Sequence, residues 1–189
     1  MNGDSVEGMM AIRGRQAVGQ FGMTLIVRDV AAAADFYRDV LGARELRRNY
    51  MHNHGEAPGE EPLSSEMELA GAYLTVVKEN PRWGEAPRAD WPRSPLSAGA
   101  PSTGINLYVD HVDAIFARAV AAGASPQIAD GKPQDGYWGD RLAQFYDPSG
   151  HFWRLLTRIE ELDEEELPER FHAQCEAMRA ARRGASSAN

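Results

Sequence analysis

The sequence predicts an α+β fold of two tandem βαβββ modules followed by a C-terminal helix, and three observations support it. The first is an internal repeat. Gly22-Met23-Thr24-Leu25-Ile26-Val27-Arg28-Asp29-Val30-Ala31-Ala32 matches Gly104-Ile105-Asn106-Leu107-Tyr108-Val109-Asp110-His111-Val112-Asp113-Ala114 at an offset of 82, and a repeat of this kind sets the architecture before any local assignment. The second is that both copies run from a short apolar strand through a polar residue into an amphipathic helix closed by glycine. The third is size: 189 residues with 43% hydrophobic composition and one cysteine are enough to bury roughly 70% of the unfolded surface without disulfide staples.

Each element follows from local pattern. The short apolar, β-branched-rich run that opens each copy, beginning at Gly22 and at Gly104, is the first strand, with Asp29 and Asp110 as the polar helix starts. Val30, Ala33, Phe36, Tyr37, Val40 and Leu41 share one helical face, as do Val112, Ile115, Phe116, Ala119 and Val120 in the second copy. Gly42 and Gly123 stop these helices as left-handed C′ residues, and their one-residue misfit to the offset predicts a second helix shorter by one. Strands are then expected over Arg44 to Met51, Glu66 to Leu69 and Ala72 to Val77, with an insertion from Asn53 to Ser65. In the second copy they fall over Ser125 to Ile128, Leu142 to Tyr146 and Phe152 to Thr157, the last pair joined by the turn Asp147-Pro148-Ser149-Gly150.

The implied organisation is an N-terminal extension (1–19), a first module (20–79), a Pro- and Trp-rich connector (80–102), a second module (103–158), and an acidic turn with C-terminal helix and tail (159–189). The connector holds Pro81, Pro87, Pro92, Pro95 and Pro101 with Trp83 and Trp91, a composition for ordered irregular chain. Pro168 suits the first turn of the last helix, which should run to about Arg183, with Gly184 to Asn189 fraying.

Charge excludes some functions. Twenty Lys and Arg against 28 Asp and Glu give net charge −8 and a pI near 5.1, a balance that repels nucleic-acid phosphates and anionic membranes. No apolar run reaches the roughly 18–20 residues of a bilayer span, and Met1 to Gly8 lacks a signal-peptide core. Neither nucleic acid nor membrane is expected as a partner, and the lone Cys175 fits a reducing, cytoplasmic location.

The paired βαβββ copies, with Phe36-Tyr37-Arg38-Asp39-Val40-Leu41-Gly42 in the first and Asp147-Pro148-Ser149-Gly150-His151-Phe152-Trp153 in the second, resemble the vicinal oxygen chelate superfamily of glyoxalases, bleomycin-resistance proteins and extradiol dioxygenases. Tyr137-Trp138-Gly139-Asp140-Arg141 resembles the PhnB-like or bleomycin-resistance branch. The resemblance implies curved mixed-sheet half-barrels paired around a groove, and a homodimer. It also implies a divalent metal held by the first and last strands of each copy. Here the matching positions are Gly22 and Gly104 on the first strands, and a position near Val76 and Arg154 on the last. Two glycines supply no ligand and an arginine repels a cation. No metal and no cofactor are therefore expected.

Alternation places Thr24 and Ile26 with Gly22, Asn106 and Tyr108 with Gly104, and Phe152 with Arg154 on the ligand-facing side. With Trp138 from the preceding loop, these seven residues are the candidate ligand-binding set, mostly apolar and aromatic with a few orienting polar groups. Thr24 and Asn106 read equally well as a hydrogen-bonded pair across the module interface. Arg154 needs an anion, either a protein carboxylate such as Asp140 or an acidic ligand. His52 and His54 read mainly as solvated loop residues and secondarily as a metal pair. Trp83, Trp91, Tyr137 and Trp138 could form an aromatic lid.

The implied function is sequestration of a small, partly aromatic molecule in a metal-free groove between the modules. The alternative is a lyase or isomerase of the superfamily working through an atypical metal site or through acid/base groups such as Glu66, Glu68, His52 or Tyr108. A third reading has the groove filled by side chains. No nucleophile elbow, phosphate loop or dinucleotide fingerprint is present, and no catalytic residue is assigned.

Overall fold

A computed structural model of the chain describes residues 19–51, 59–86, 88, 90–127 and 131–187. The chain divides between Arg93 and Ser94 into two compact units, each built on one sheet.

In the first unit, β1 (Gly22–Val27) leads into α1 (Val30–Asp39), then β2 (Arg44–Asn49), β3 (Ser64–Leu69) and β4 (Ala72–Lys78). The sheet order is β1-β4-β3-β2, with β1 parallel to β4 and the other pairs antiparallel. Asp29 caps α1 by accepting the Ala32 N–H at 2.9 Å. Val30, Ala33, Ala34, Phe36 and Tyr37 of the helix are buried, as are Leu25, Val27, Met67, Leu74 and Val76 of the sheet. Among the described residues of this unit α1 is the one α-helix, so the other sheet face carries none of them. A register shift between Glu45 and Arg47 turns Arg44 and Arg47 to that helix-free face while Glu45 and Arg48 stay on the helix side.

The second unit opens with the single-turn α2 (Pro95–Ala98). It continues through β5 (Gly104–Tyr108), α3 (Val112–Ala121), β6 (Ser125–Pro126), β7 (Gln134–Asp135), β8 (Asp140–Tyr146), β9 (Phe152–Arg158) and α4 (Leu167–Ser187). Its sheet runs β5-β9-β8-β6, with β7 also on β8. Leu107, Ala143, Phe145, Trp153 and Leu155 are buried, and Phe116 of α3 meets Phe145 ring to ring at 6.3 Å.

Four local expectations change. Asp110 does not cap α3: His111 is the cap residue and makes no side-chain cap bond, while Thr157 Oγ1 accepts the Val112 N–H at 3.0 Å. The two long helices of the repeat are each 10 residues. The glycine misfit therefore lies in the turn, which is Val40-Leu41-Gly42 in one copy and Ala122-Gly123 in the other. Both glycines have positive φ, +78° and +93°. The last helix continues to Ser187. β6 pairs with β8 over two residues only. The connector carries a 3₁₀ turn at Pro81–Trp83, and the Arg93 guanidinium lies 4.0 Å from the Trp83 ring centre. Among the described residues no helix is long and apolar enough to cross a membrane.

Candidate functional site

Register sorts the side chains of each helix-free face into rows. On the first sheet, Gly22 pairs with Tyr73, Thr24 with Thr75 and Ile26 with Val77. Across β3, Tyr73, Thr75 and Val77 oppose Glu68, Glu66 and Ser64, which in turn oppose Arg44, Arg47 and Asn49. A cavity of about 330 Å³ lies against this face, lined by Gln20, Gly22, Met23, Thr24, Tyr73 and Thr75.

Glu66 is the buried charge of this face, 9% exposed. Its Oε1 accepts from Arg47 and from Asn49 Nδ2 at 3.4 Å, whereas Oε2 is enclosed and makes no hydrogen bond. Burial opposes its charge, but Arg47, Tyr73 and Asn49 outweigh burial and hold the carboxyl below the usual range. The neighbouring Tyr73 hydroxyl, buried and beside that carboxylate, is pushed up to about 12. On the opposite face, Glu45 is also lowered: burial raises it, and bonds from Arg48 and Ser65 more than compensate.

A carboxyl lowered in the folded state adds stability above its ordinary value, near pH 4.5, and that stability is lost as pH falls through the lowered folded value. We expect the denaturant midpoint of the first unit to fall progressively as the pH is taken below 4.5. The slope should be shallower in Glu66→Gln; an unchanged slope there would remove Glu66 from the account.

The second helix-free face is simpler. Gly104, Phe152 and Tyr146 form one row, Asn106, Arg154 and Gln144 the next, Tyr108, Leu156 and Leu142 a third, and Arg158 with Asp140 the edge. Phe152 and Tyr146 lie with ring centres 5.5 Å apart. Asp140 is fully buried; its Oδ1 accepts from Arg158 Nε at 2.5 Å and its Oδ2 from the Tyr108 hydroxyl at 3.0 Å. It therefore does not partner Arg154, which corrects one of the two sequence readings of that arginine. Arg154 Nε is enclosed without a hydrogen bond.

Of the candidate residues, Thr24 and Ile26 stand on the first helix-free face, and Asn106, Tyr108, Phe152 and Arg154 on the second. Trp138 stands off these rows. Its ring covers Gly136 and meets Tyr137 edge-on at 5.1 Å, and Tyr137 in turn meets Phe171 of α4. His52 and His54 lie outside the described residues. Tyr73, Thr75, Gln144 and Tyr146 were not singled out from the sequence. The signal that could have found the last two is the Asp147–Gly150 turn, which sets Tyr146 opposite Phe152; counting outward by two sets Gln144 opposite Arg154.

The positions matching the superfamily's metal ligands do not fit a divalent ion. Val76 faces the helix and is fully buried, so on β4 the residues sharing the face of Gly22 are Tyr73, Thr75 and Val77, and the carboxylates of that face, Glu66 and Glu68 on β3, are bonded by Arg47 and Arg44. Glu79, the carboxylate nearest Val76 in the sequence, is paired with Arg28 at 3.4 Å. On the second sheet a Cβ at Gly104 would stand 3.1 Å from the Phe152 ring, and the next row holds Arg154. Among the described residues no cluster of three or more His, Cys, Asp or Glu could hold a metal.

Two mixed sheets, each opening with a strand–helix unit and closing with a parallel return of its last strand onto its first, define a tandem βαβββ protein. The chain belongs to the Glyoxalase/Bleomycin resistance protein/Dioxygenase superfamily, whose family model matches residues 18–155. An uncharacterized protein of Mycobacterium bovis, Mb0911c, is 33% identical over 145 residues, covering 76% of this chain and 86% of that protein. TioX from Micromonospora sp. ML1 shares the fold with a TM-score of 0.52 at 21% identity, covering 74% of this chain and 98% of that one. A glyoxalase/bleomycin resistance protein/dioxygenase family enzyme from Burkholderia phytofirmans does so with a TM-score of 0.53 at 19% identity, covering 72% and 96%.

Proposed function

We propose that the protein binds a small, partly aromatic molecule on the helix-free faces of its sheets without a metal, as a sequestering member of its superfamily in the bleomycin-resistance or PhnB-like manner. Cytoplasmic location and a homodimer are part of this proposal. One observation carries it: each first-strand position that would hold a metal ligand is a glycine set against an aromatic residue, Gly22 against Tyr73 and Gly104 against Phe152. Such positions offer flat aromatic area where a ligand side chain would stand, which suits a planar molecule.

The test is elemental analysis of tag-free protein purified without chelator, then thermal shifts with Mg, Mn, Fe, Co, Ni and Zn and with a panel of planar aromatic compounds. The expected result is no stoichiometric metal, no metal-specific shift, and stabilisation by a subset of the aromatics; a ligand at 100 times its Kd adds about 2.7 kcal/mol. Stoichiometric metal would overturn the reading.

A second reading, metal-free acid/base catalysis by a lyase or isomerase, is favoured by Glu66, a buried carboxylate with the Tyr73 hydroxyl as its neighbour. It predicts turnover lost in Glu66→Gln with binding retained.

A further inference from the structure

We infer that the second helix-free face is a receptor for an aromatic carboxylate, with Arg154 receiving the carboxylate and Phe152 and Tyr146 receiving the ring. This deepens the small-molecule reading above and rests on it.

The argument begins with what Arg154 lacks. It stands on β9, flanked on both sides by β5 and β8, so its side chain rises from the middle of the sheet and not from an edge. Its Nε is shut off from solvent and makes no hydrogen bond. Buried donors are nearly always paired, so an unpaired one asks for a missing acceptor. The nearest carboxylate on the face is already committed: Asp140 takes Arg158 and Tyr108 on its two oxygens. Of the charged side chains on this face, Arg158 and Asp140 neutralise each other, which leaves Arg154 uncompensated in a chain of net charge −8.

The neighbours complete the receptor. Asn106 and Gln144 are the register partners of Arg154 on either side, so a row of three side chains that can donate N–H bonds crosses three adjacent strands. Neighbouring strands lie about 4.8 Å apart, close enough for one planar oxyanion to be reached from the row. A guanidinium matches a carboxylate with two parallel bonds, which an ammonium cannot copy. One row along, about 6.6 Å away by strand rise, stand Phe152 and Tyr146. A ring joined to its carboxylate by a short linker spans these rows, resting its face on the aromatic pair while the oxyanion meets Arg154.

The experiment uses the full chain and two isosteric probes, phenylacetate and its neutral counterpart phenylacetamide. Affinities are measured by calorimetry, and the Arg Nε–Hε resonances are followed by NMR in both titrations. Phenylacetate is expected to bind about tenfold more tightly than phenylacetamide, the increment of a charge-assisted pair. The Arg154 Nε–Hε signal, assigned by its absence in Arg154→Met, should move with phenylacetate only. Arg154→Met should erase the tenfold preference, and Arg154→Lys should restore only part of it. If Arg154→Met fails to fold, Arg154→Gln and the wild-type Nε–Hε signal decide the question.

Equal affinity for the two probes, or a preference that survives Arg154→Met, would overturn the inference and leave the small-molecule reading standing. Binding of neither probe, with stabilisation by neutral planar compounds of the panel, would do the same. Failure of every aromatic compound to bind would remove both.

Discussion

Trp153→Ala is expected to destabilise the second unit by about 3–5 kcal/mol, the range for deleting a large buried aromatic. Trp153 is fully buried on the helix side of β9, between the two residues that open the proposed receptor. Its indole Nε1 donates to Asp147 Oδ2 at 2.9 Å, while Asp147 Oδ1 accepts the backbone N–H groups of Ser149 and His151 at 2.9 and 3.0 Å. Truncation thus opens a cavity and also removes the indole N–H bond to a buried carboxylate. Trp153→Phe separates the two costs, because it fills most of the volume and removes only the N–H; it should lose less. Urea denaturation followed by far-UV circular dichroism measures both variants. A loss under about 1 kcal/mol for the alanine variant would contradict the packing described, since surface changes cost no more than that. The link to function is positional: strand alternation fixes Phe152 and Arg154 on one face only while Trp153 anchors the other.

Gly139→Ala should be the costliest glycine-to-alanine change among the described residues, about 2–5 kcal/mol from backbone strain and overlap together. Gly139 has φ +82°, and a Cβ there would run into the Glu160 carbonyl oxygen, a backbone atom that cannot swing aside. That same segment is tied down, because the Gly139 carbonyl accepts the N–H groups of Ile159 and Glu160 at 3.0 and 3.1 Å. Relief of the overlap therefore breaks the contact that leads the chain from β9 toward α4, next to the buried Asp140. Gly42→Ala is the matched control. Its φ of +78° is nearly the same, but open space surrounds the added methyl. It should carry only the strain of a left-handed non-glycine residue, about 1–2 kcal/mol. Equal losses in the two variants, read from denaturation midpoints, would show that the Glu160 contact has no energetic weight.

The fold was legible because it repeats. Gly22, Leu25, Val27, Val30 and Ala32 recur at Gly104, Leu107, Val109, Val112 and Ala114, and a strand period followed by a helix period needs no distant information. Parity within a strand was equally legible: Trp153 against the helix, with Phe152 and Arg154 opposite, follows from alternation alone. What failed was register and local exchange of partners. Val76 belongs to the helix face because β4 pairs residue for residue with β1, putting Thr75 beside Thr24. Asp110 yields to Thr157 as the group satisfying the α3 N-terminus, a bond 45 residues apart in sequence. The extra residue in β2 that turns Arg47 toward Glu66 is Leu46, and one apolar residue among five polar ones in Arg44 to Asn49 gives no alternation from which a bulge could be read.

The sequence by itself thus determined the order of the repeated elements, though not β7 or the single-turn α2 within the connector, together with the helix faces and the absence of ligand side chains at Gly22 and Gly104. Periodicity and residue chemistry are local properties, written in neighbours a few positions apart. Only the tertiary structure decided which charges are spent. Arg158 and Arg154 lie on the same strand four residues apart, and composition cannot distinguish them. Asp140, brought across β8 by the hairpin register, bonds one and leaves the other open. A hydrogen bond depends on positions within about 3 Å, and long-range pairing sets those positions.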